Sequence, residues 1–277
     1  MVSGRRASRN IVVEHQRKKV RTMKNAIMSA IVVSVLFGGV VIAPEAIAQE
    51  VVKLPDAVAA KTKCMNPEFV FHRPKGVDAS KEAPLLIYLH GMAWRGKDIG
   101  LIKRVSRWGL SKNADKQNLL LAMPQCDTDA KGEQKGRGRW KPDDVMLLLE
   151  YLKKNYKIDE DRVYLAGYSM GGFGTWACAA AEPKTFAAIA PIAGGGDPRT
   201  AEKIKHLPIW VFHGQKDTTV PHKRSQDMVD ALKTAGAEKL NFTSYPDQGH
   251  NRVLGLAINH EELYKWLLTH KREKAVQ

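Results

Sequence analysis

The chain has 277 residues, enough for one or two domains, and a formal charge of +15. Residues 1–48 hold eight of the basic and two of the acidic residues, which leaves +9 on the remainder, scattered except for "KGEQKGRGRWK" at 131–141. A diffuse excess without a recognisable nucleic-acid module argues against a nucleic-acid partner, and nine histidines without H-x-x-x-H and three cysteines without C-x-x-C give no metal site.

The N-terminal stretch reads as an export signal. From Met23, "MKNAIMSAIVVSVLFGGVVIAPEAIAQE" places Lys24 before an apolar run at 27–42 and ends it with Ala46-Ile47-Ala48, a small-x-small cleavage signature. Cleavage after Ala48 is expected to leave residues 49–277 as the mature protein, exported to the periplasm or medium. The seven basic residues ahead of Met23 make an unusually long leader, so Met23 is the alternative start. If the run stayed attached it would act as a membrane anchor, although a spanning helix needs about 20 apolar residues and this run is shorter and broken by Gly38-Gly39.

Along the remaining chain, apolar runs alternate with helical patterns. "EFVFHRP" (68–74) predicts a strand stopped by proline, and "PLLIYLHG" (84–91) a strand buried on both faces. An amphipathic stretch follows at 101–117, then the strand "LLLAMP" (119–124). "PDDVMLLLEYLKKNY" (142–156) has proline and two acids in its first turn and lysines in its last, as a helix should. The strand "RVYLAGY", a helix at 170–182, the strand "FAAIAPIAG", a short helix at 199–206 and the strand "PIWVFHG" (208–214) come next. A helix at 221–236, the strand "LNFTSYP" (240–246) and a helix at 260–270 close the chain. Such alternation predicts one α/β domain built on a mostly parallel, doubly wound sheet, with no room for a separate cap domain.

Within this pattern Gly167-Tyr168-Ser169-Met170-Gly171 is a G-x-S-x-G motif, expected by chance about 0.1 times in a chain this long at average residue usage. It lies between a predicted strand and a predicted helix, the context of a strained turn that holds a nucleophilic serine at the carboxyl end of a sheet. A serine hydroxyl needs a base, and the base needs an acid to orient it. In the chain order Ser…Asp…His, "QKDTTVP" supplies Asp217 after one strand and "SYPDQGHN" supplies His250 in the loop after the next. Asp197 and Asp247 are the reserve acids, while His206, His222 and His260 sit at or in predicted helices and do not fit as the base. The backbone N–H groups of Met170 and Met92 are the expected oxyanion donors, and His90 is expected to tie down the loop before Met92.

Together "YLHGMAWRGKD", "MPQC", "RVYLAGYSMGGFGTWACA", "GGGDP", "VFHGQKDTTVP" and "YPDQGH" resemble the α/β-hydrolase superfamily. The similarity is to the branch of bacterial exported esterases and predicted peptidases near feruloyl esterases, polyester depolymerases, dienelactone hydrolases and phospholipase/carboxylesterases. It runs from about Cys64 to Leu268 and implies Ser169, Asp217 and His250 as the triad of an enzyme that needs no cofactor. Met92-Ala93-Trp94 departs from the small-residue-then-glycine pattern of relatives, so Met92 and Trp94 are expected to narrow the cleft. Trp140 is a candidate platform for an aromatic or sugar ring, and Arg137 or Arg139 for an acid, unless this loop is simply solvated. The expected substrate is a small or polymer-linked ester; a peptidase and a catalytically silent or membrane-tethered binding protein are the alternatives. Of the cysteines, Cys178 is expected to be buried, and Cys64 and Cys126 are the pair open to a disulfide.

Overall fold

A computed structural model describes residues 49–127 and 139–272. The leader at 1–48, with its alternative start at Met23, and Arg137 lie outside the described residues. Eight strands form one sheet among the described residues: β1 (Glu50–Lys53), β2 (Met65–His72), β3 (Ala83–Leu89), β4 (Leu120–Cys126), β5 (Ile158–Tyr168), β6 (Ala188–Ile192), β7 (Ile209–Gly214) and β8 (Leu240–Tyr245). Their order is β1-β2-β4-β3-β5-β6-β7-β8. Every pair from β4 to β8 is parallel, whereas β1–β2 and β2–β4 are antiparallel. The sheet is thus mostly parallel, as expected, with an antiparallel edge whose outermost strand the sequence pattern did not separate from the mixed segment at 51–63.

All seven residues of β3 are buried because both faces of the sheet are covered. The period of two sends Leu85, Ile87 and Leu89 into one core and Leu86 and Tyr88 into the other. The first core is covered by α4 (Pro142–Asn155), α5 (Met170–Ala181), α6 (Ala201–Ile204) and α7 (Lys223–Thr234), through residues such as Leu148, Trp176, Ile204 and Val229. The second is covered by α2 (Ile99–Ser106), α3 (Leu110–Gln117), α8 (His250–Ile258) and α9 (Glu261–Thr269), through Val105, Ala114, Ala257 and Leu267. A short α1 (Asp56–Ala59) follows β1. Burying one such aliphatic side chain is worth about 1.5–3 kcal/mol, so both faces of the sheet contribute to holding it between the helices.

Two helical segments differ from expectation. The stretch at 101–117 is two helices, because Gly109 takes φ 151°, a conformation that side chains resist, and so breaks the run. After β8 the chain enters α8 at His250 itself, so the histidine expected in a loop is the first helical residue. The apolar spacing Val253, Leu254, Ala257, Ile258 is the helical signal for it. Among the described residues no helix is long and apolar enough to cross a membrane.

The connections from β3 and β5, which lie side by side, leave in opposite directions, one to β4 and the other to β6. This is a topological switch point, and it opens a crevice beyond the carboxyl ends of the two strands.

Candidate active site

Ser169 stands in that crevice, between the last residue of β5 and the first of α5. Its backbone has φ 54° and ψ −114°, a sparsely populated conformation costing about 1–3 kcal/mol. The flanking glycines make the turn possible by close approach. A Cβ on Gly171 would stand 1.9 Å from the carbonyl oxygen of Leu89, and one on Gly167 would stand 2.3 Å from that of Gly171. The start of α5 is therefore pressed against the end of β3, while the Ser169 N–H is held by the Ile192 carbonyl at 2.8 Å.

Three strand ends bring three side chains together. His250 Nδ1 lies 2.6 Å from Asp217 Oδ2, and His250 Nε2 lies 2.9 Å from Ser169 Oγ. A carboxylate can only accept, so Nδ1 carries the proton and Nε2 is left to receive the Ser169 hydroxyl. Asp217 is 6% exposed, and its Oδ1 accepts from Thr219 N at 2.9 Å and Val220 N at 2.8 Å. The reserve acids are engaged elsewhere: Asp197 with Arg199 and Asp247 with Lys216. His250 is backed by Tyr168, whose ring lies 4.9 Å away and whose hydroxyl donates toward the His250 carbonyl at 3.2 Å. Burial pushes that hydroxyl well above the ordinary tyrosine pKa, so it stays protonated as a donor.

Met92 opens a short 3-10 turn after β3, and Met170 opens α5. The first amides of a helical turn have no intrahelical acceptor, and Met92 and Met170 both line the cleft at Ser169. The loop before Met92 is fixed by His90, which is buried. The Cys126 N–H donates to His90 Nε2 at 2.9 Å, so the ring proton sits on Nδ1 and is donated to the Gly91 carbonyl at 2.7 Å. A second proton would meet an N–H head-on; burial, chiefly, lowers the His90 pKa to about 4.

A cleft of about 790 Å³ opens at Ser169. Met92, Phe173, Trp176 and Ala180 give it apolar walls, and Arg139, Arg224, Asp197 and Thr219 bring polar groups to it. Met92 thus lines the cleft. Trp94 packs instead on Trp108 at 5.7 Å and Tyr168 at 6.0 Å, behind the site. Trp140 is not a solvated loop residue: it is 5% exposed, and its Nε1–H donates to the His90 carbonyl at 3.0 Å. Its ring is clamped against His90 at 5.0 Å, so it both lines the cleft and braces the loop that carries Met92. Residues the sequence reading passed over are Tyr168, Phe173 and His213; the last lies four positions before Asp217 on β7, a spacing that was visible.

The cysteine pair is not bridged. Cys126 stands opposite Met65 in the β2–β4 ladder, one step out of register with Cys64, and Cys64, Cys126 and Cys178 are all buried free thiols. Burial pushes the Cys126 and Cys178 thiols up to about 12, so neither is a nucleophile near neutral pH.

The Dienelactone hydrolase family matches residues 122–253, a span that begins in β4 and ends just beyond His250. The chain is 29% identical over 147 residues to a bifunctional acetylxylan esterase/xylanase of Neocallimastix patriciarum, covering 51% of this chain and 20% of that protein. It is 27% identical over 212 residues to a probable feruloyl esterase C of Aspergillus oryzae, covering 73% of this chain and 74% of the other. Among solved structures, a thermostable esterase is 30% identical with a TM-score of 0.61, over 74% of this chain and 59% of that one. The chain thus spans most of the Aspergillus protein but only a fifth of the larger fungal one. With the switch-point sheet and the strained serine turn, these likenesses show that the chain has the α/β-hydrolase fold.

Proposed function

We propose that the protein is a serine hydrolase of carboxylic esters, acting through Ser169, His250 and Asp217. The observation that carries this reading is the continuous hydrogen-bond chain from buried Asp217 through His250 to Ser169, which sits on a strained turn in a cleft. His250 Nε2 takes the hydroxyl proton as Ser169 Oγ attacks the acyl carbonyl, and Asp217 stabilises the imidazolium. The N–H groups of Met92 and Met170 receive the oxyanion, a contribution of about 3–4 kcal/mol per donor in comparable enzymes. The imidazolium then returns the proton to the departing alkoxide, and water repeats the cycle on the acyl-enzyme.

The substrate we propose is an ester with a short or aromatic acyl group, free or attached to a polysaccharide. Support comes from the apolar cleft walls of Met92, Phe173 and Ala180 and from relatives named as feruloyl and acetylxylan esterases. Arg139 at the cleft suits an acid group on such a substrate, and a ring would lie along Phe173 rather than on the buried Trp140. Export of the protein after removal of residues 1–48 remains part of this proposal, and sequencing the N-terminus of the exported protein tests it.

The same triad can cleave amides, so the test is a comparison of kcat/KM on p-nitrophenyl acetate, methyl ferulate and matched peptide anilides. Ester rates at least 100-fold above amide rates support the esterase reading; the reverse order makes the protein a peptidase. Turnover of none of them would leave a binding protein on this fold.

A further inference from the structure

Asp217 carries one contact that the triad does not explain. His213, the penultimate residue of β7, is fully buried, and its Nε2 lies 2.9 Å from the Val220 carbonyl and 3.2 Å from Asp217 Oδ2. Both neighbours can only accept, so the hydrogen on Nε2 is required rather than chosen. We propose that His213 is a positioning residue for the acid of the triad: its shared Nε2–H holds the carboxylate oxygen that orients His250, and ties that oxygen to the 217–220 turn.

The donor count shows why this matters. Oδ1 is held by the Thr219 and Val220 amides, and Oδ2 by His250 and His213. The four donors come from the turn itself, from β7 and from α8, so the carboxylate plane is fixed about both its torsions. With His213 removed, Oδ2 keeps only the donor it is supposed to orient, and the ring of His250 gains freedom. The two bonds to Oδ2 also compete. An N–H from His213 draws off part of the carboxylate charge that would otherwise face His250 alone.

The other side of the ring is built for the same role. His213 Nδ1 is 2.7 Å from Ser225 Oγ on α7, and Ser225 Oγ is 3.0 Å from the Gly194 carbonyl. The Ser225 hydroxyl donates to the Gly194 carbonyl and so pins the oxygen beside Nδ1, while the two acceptors at Nε2 call for the Nε2–H tautomer facing Asp217. Around the ring stand Asp217, His250 beyond it, and His222 at 5.5 Å. Burial, first of all, lowers the His213 pKa and keeps the ring neutral.

This inference rests on the triad reading, and its test separates the two. Ser169→Ala, His213→Leu and His213→Gln are compared with wild type in kcat, KM and the pH profile of kcat/KM. Loss of one buried hydrogen bond predicts a kcat about ten-fold lower in His213→Leu with KM unchanged. It also predicts that the acid limb of the kcat/KM profile moves, because Oδ2 then loses one of its two side-chain donors. His213→Gln, which keeps an N–H in reach of Oδ2, should restore the limb and most of the rate. A purely structural role would lower stability without moving the limb, and a fixed limb in His213→Leu beside an inactive Ser169→Ala overturns the proposal while the triad stands. Full activity in Ser169→Ala overturns both. If His213→Leu does not fold, the wild-type tautomer decides, read by ¹⁵N NMR of histidine-labelled protein: Nε2–H supports the assignment and Nδ1–H refutes it.

Discussion

Gly171→Ala is the smallest change that should dismantle the site. The added Cβ would lie 1.9 Å from the Leu89 carbonyl oxygen, against a practical minimum of 3.0 Å for such contacts. The start of α5 and the end of β3 must therefore separate by more than 1 Å, and neither is a flexible side chain that can swing away. Overpacking of this kind costs about 1–3 kcal/mol in stability. The catalytic loss should be larger than the stability loss, since the two parted segments carry Ser169 and Met170 on one side and the Met92 loop on the other. A displacement of about 1 Å can cost about 10²-fold in rate. The assay pairs kcat/KM on p-nitrophenyl acetate with urea unfolding. A folded variant at least 100-fold slower fits the geometry; a variant within two-fold of wild type would mean that the close approach of β3 and α5 has no part in catalysis.

Two further outcomes follow from buried polar groups elsewhere. The depressed pKa of His90 means that its neutral form supports the fold fully above pH 6.5, and that this support is lost as pH falls toward about 4. The unfolded chain takes up a proton there that the folded chain refuses, so wild type should lose about 2 kcal/mol by pH 5 relative to His90→Gln in paired urea titrations; parallel curves would contradict the assigned tautomer. Asp144, almost wholly buried near the start of α4, accepts from Lys63 N and Cys64 N at 2.7 Å each. Asp144→Ala should cost about 3 kcal/mol and lower Tm by roughly 6–12 °C, with kcat/KM unchanged; a drop under 2 °C would show that these amides find other partners.

The reach of sequence reasoning varied with the physics involved. Strands buried on both faces, such as β3, announce themselves as short apolar runs, and the positions of Ser169, Asp217 and His250 follow from strand ends alone. The edge strand β1 has no such run, since its outer side is open and its four residues are half-exposed or exposed. Trp140 looked solvated because it closes a basic, glycine-rich stretch; its burial depends on His90 and Gly174, residues distant in the chain that local pattern cannot bring to it. Trp94 faced the site in sequence terms but turns toward Trp108 and Tyr168, which only the packing of α2 and α3 determines. His213 was legible by its spacing, on β7 and four positions before Asp217.

The central claim is that Ser169 is activated by His250 and Asp217, and labelling with a fluorophosphonate probe tests it most directly. Wild type should label stoichiometrically, with the adduct mapped by peptide mass to Ser169, and Ser169→Ala should not label. Labelling that persists in Ser169→Ala, or a wild type that stays unlabelled while a control serine hydrolase reacts, would contradict the account.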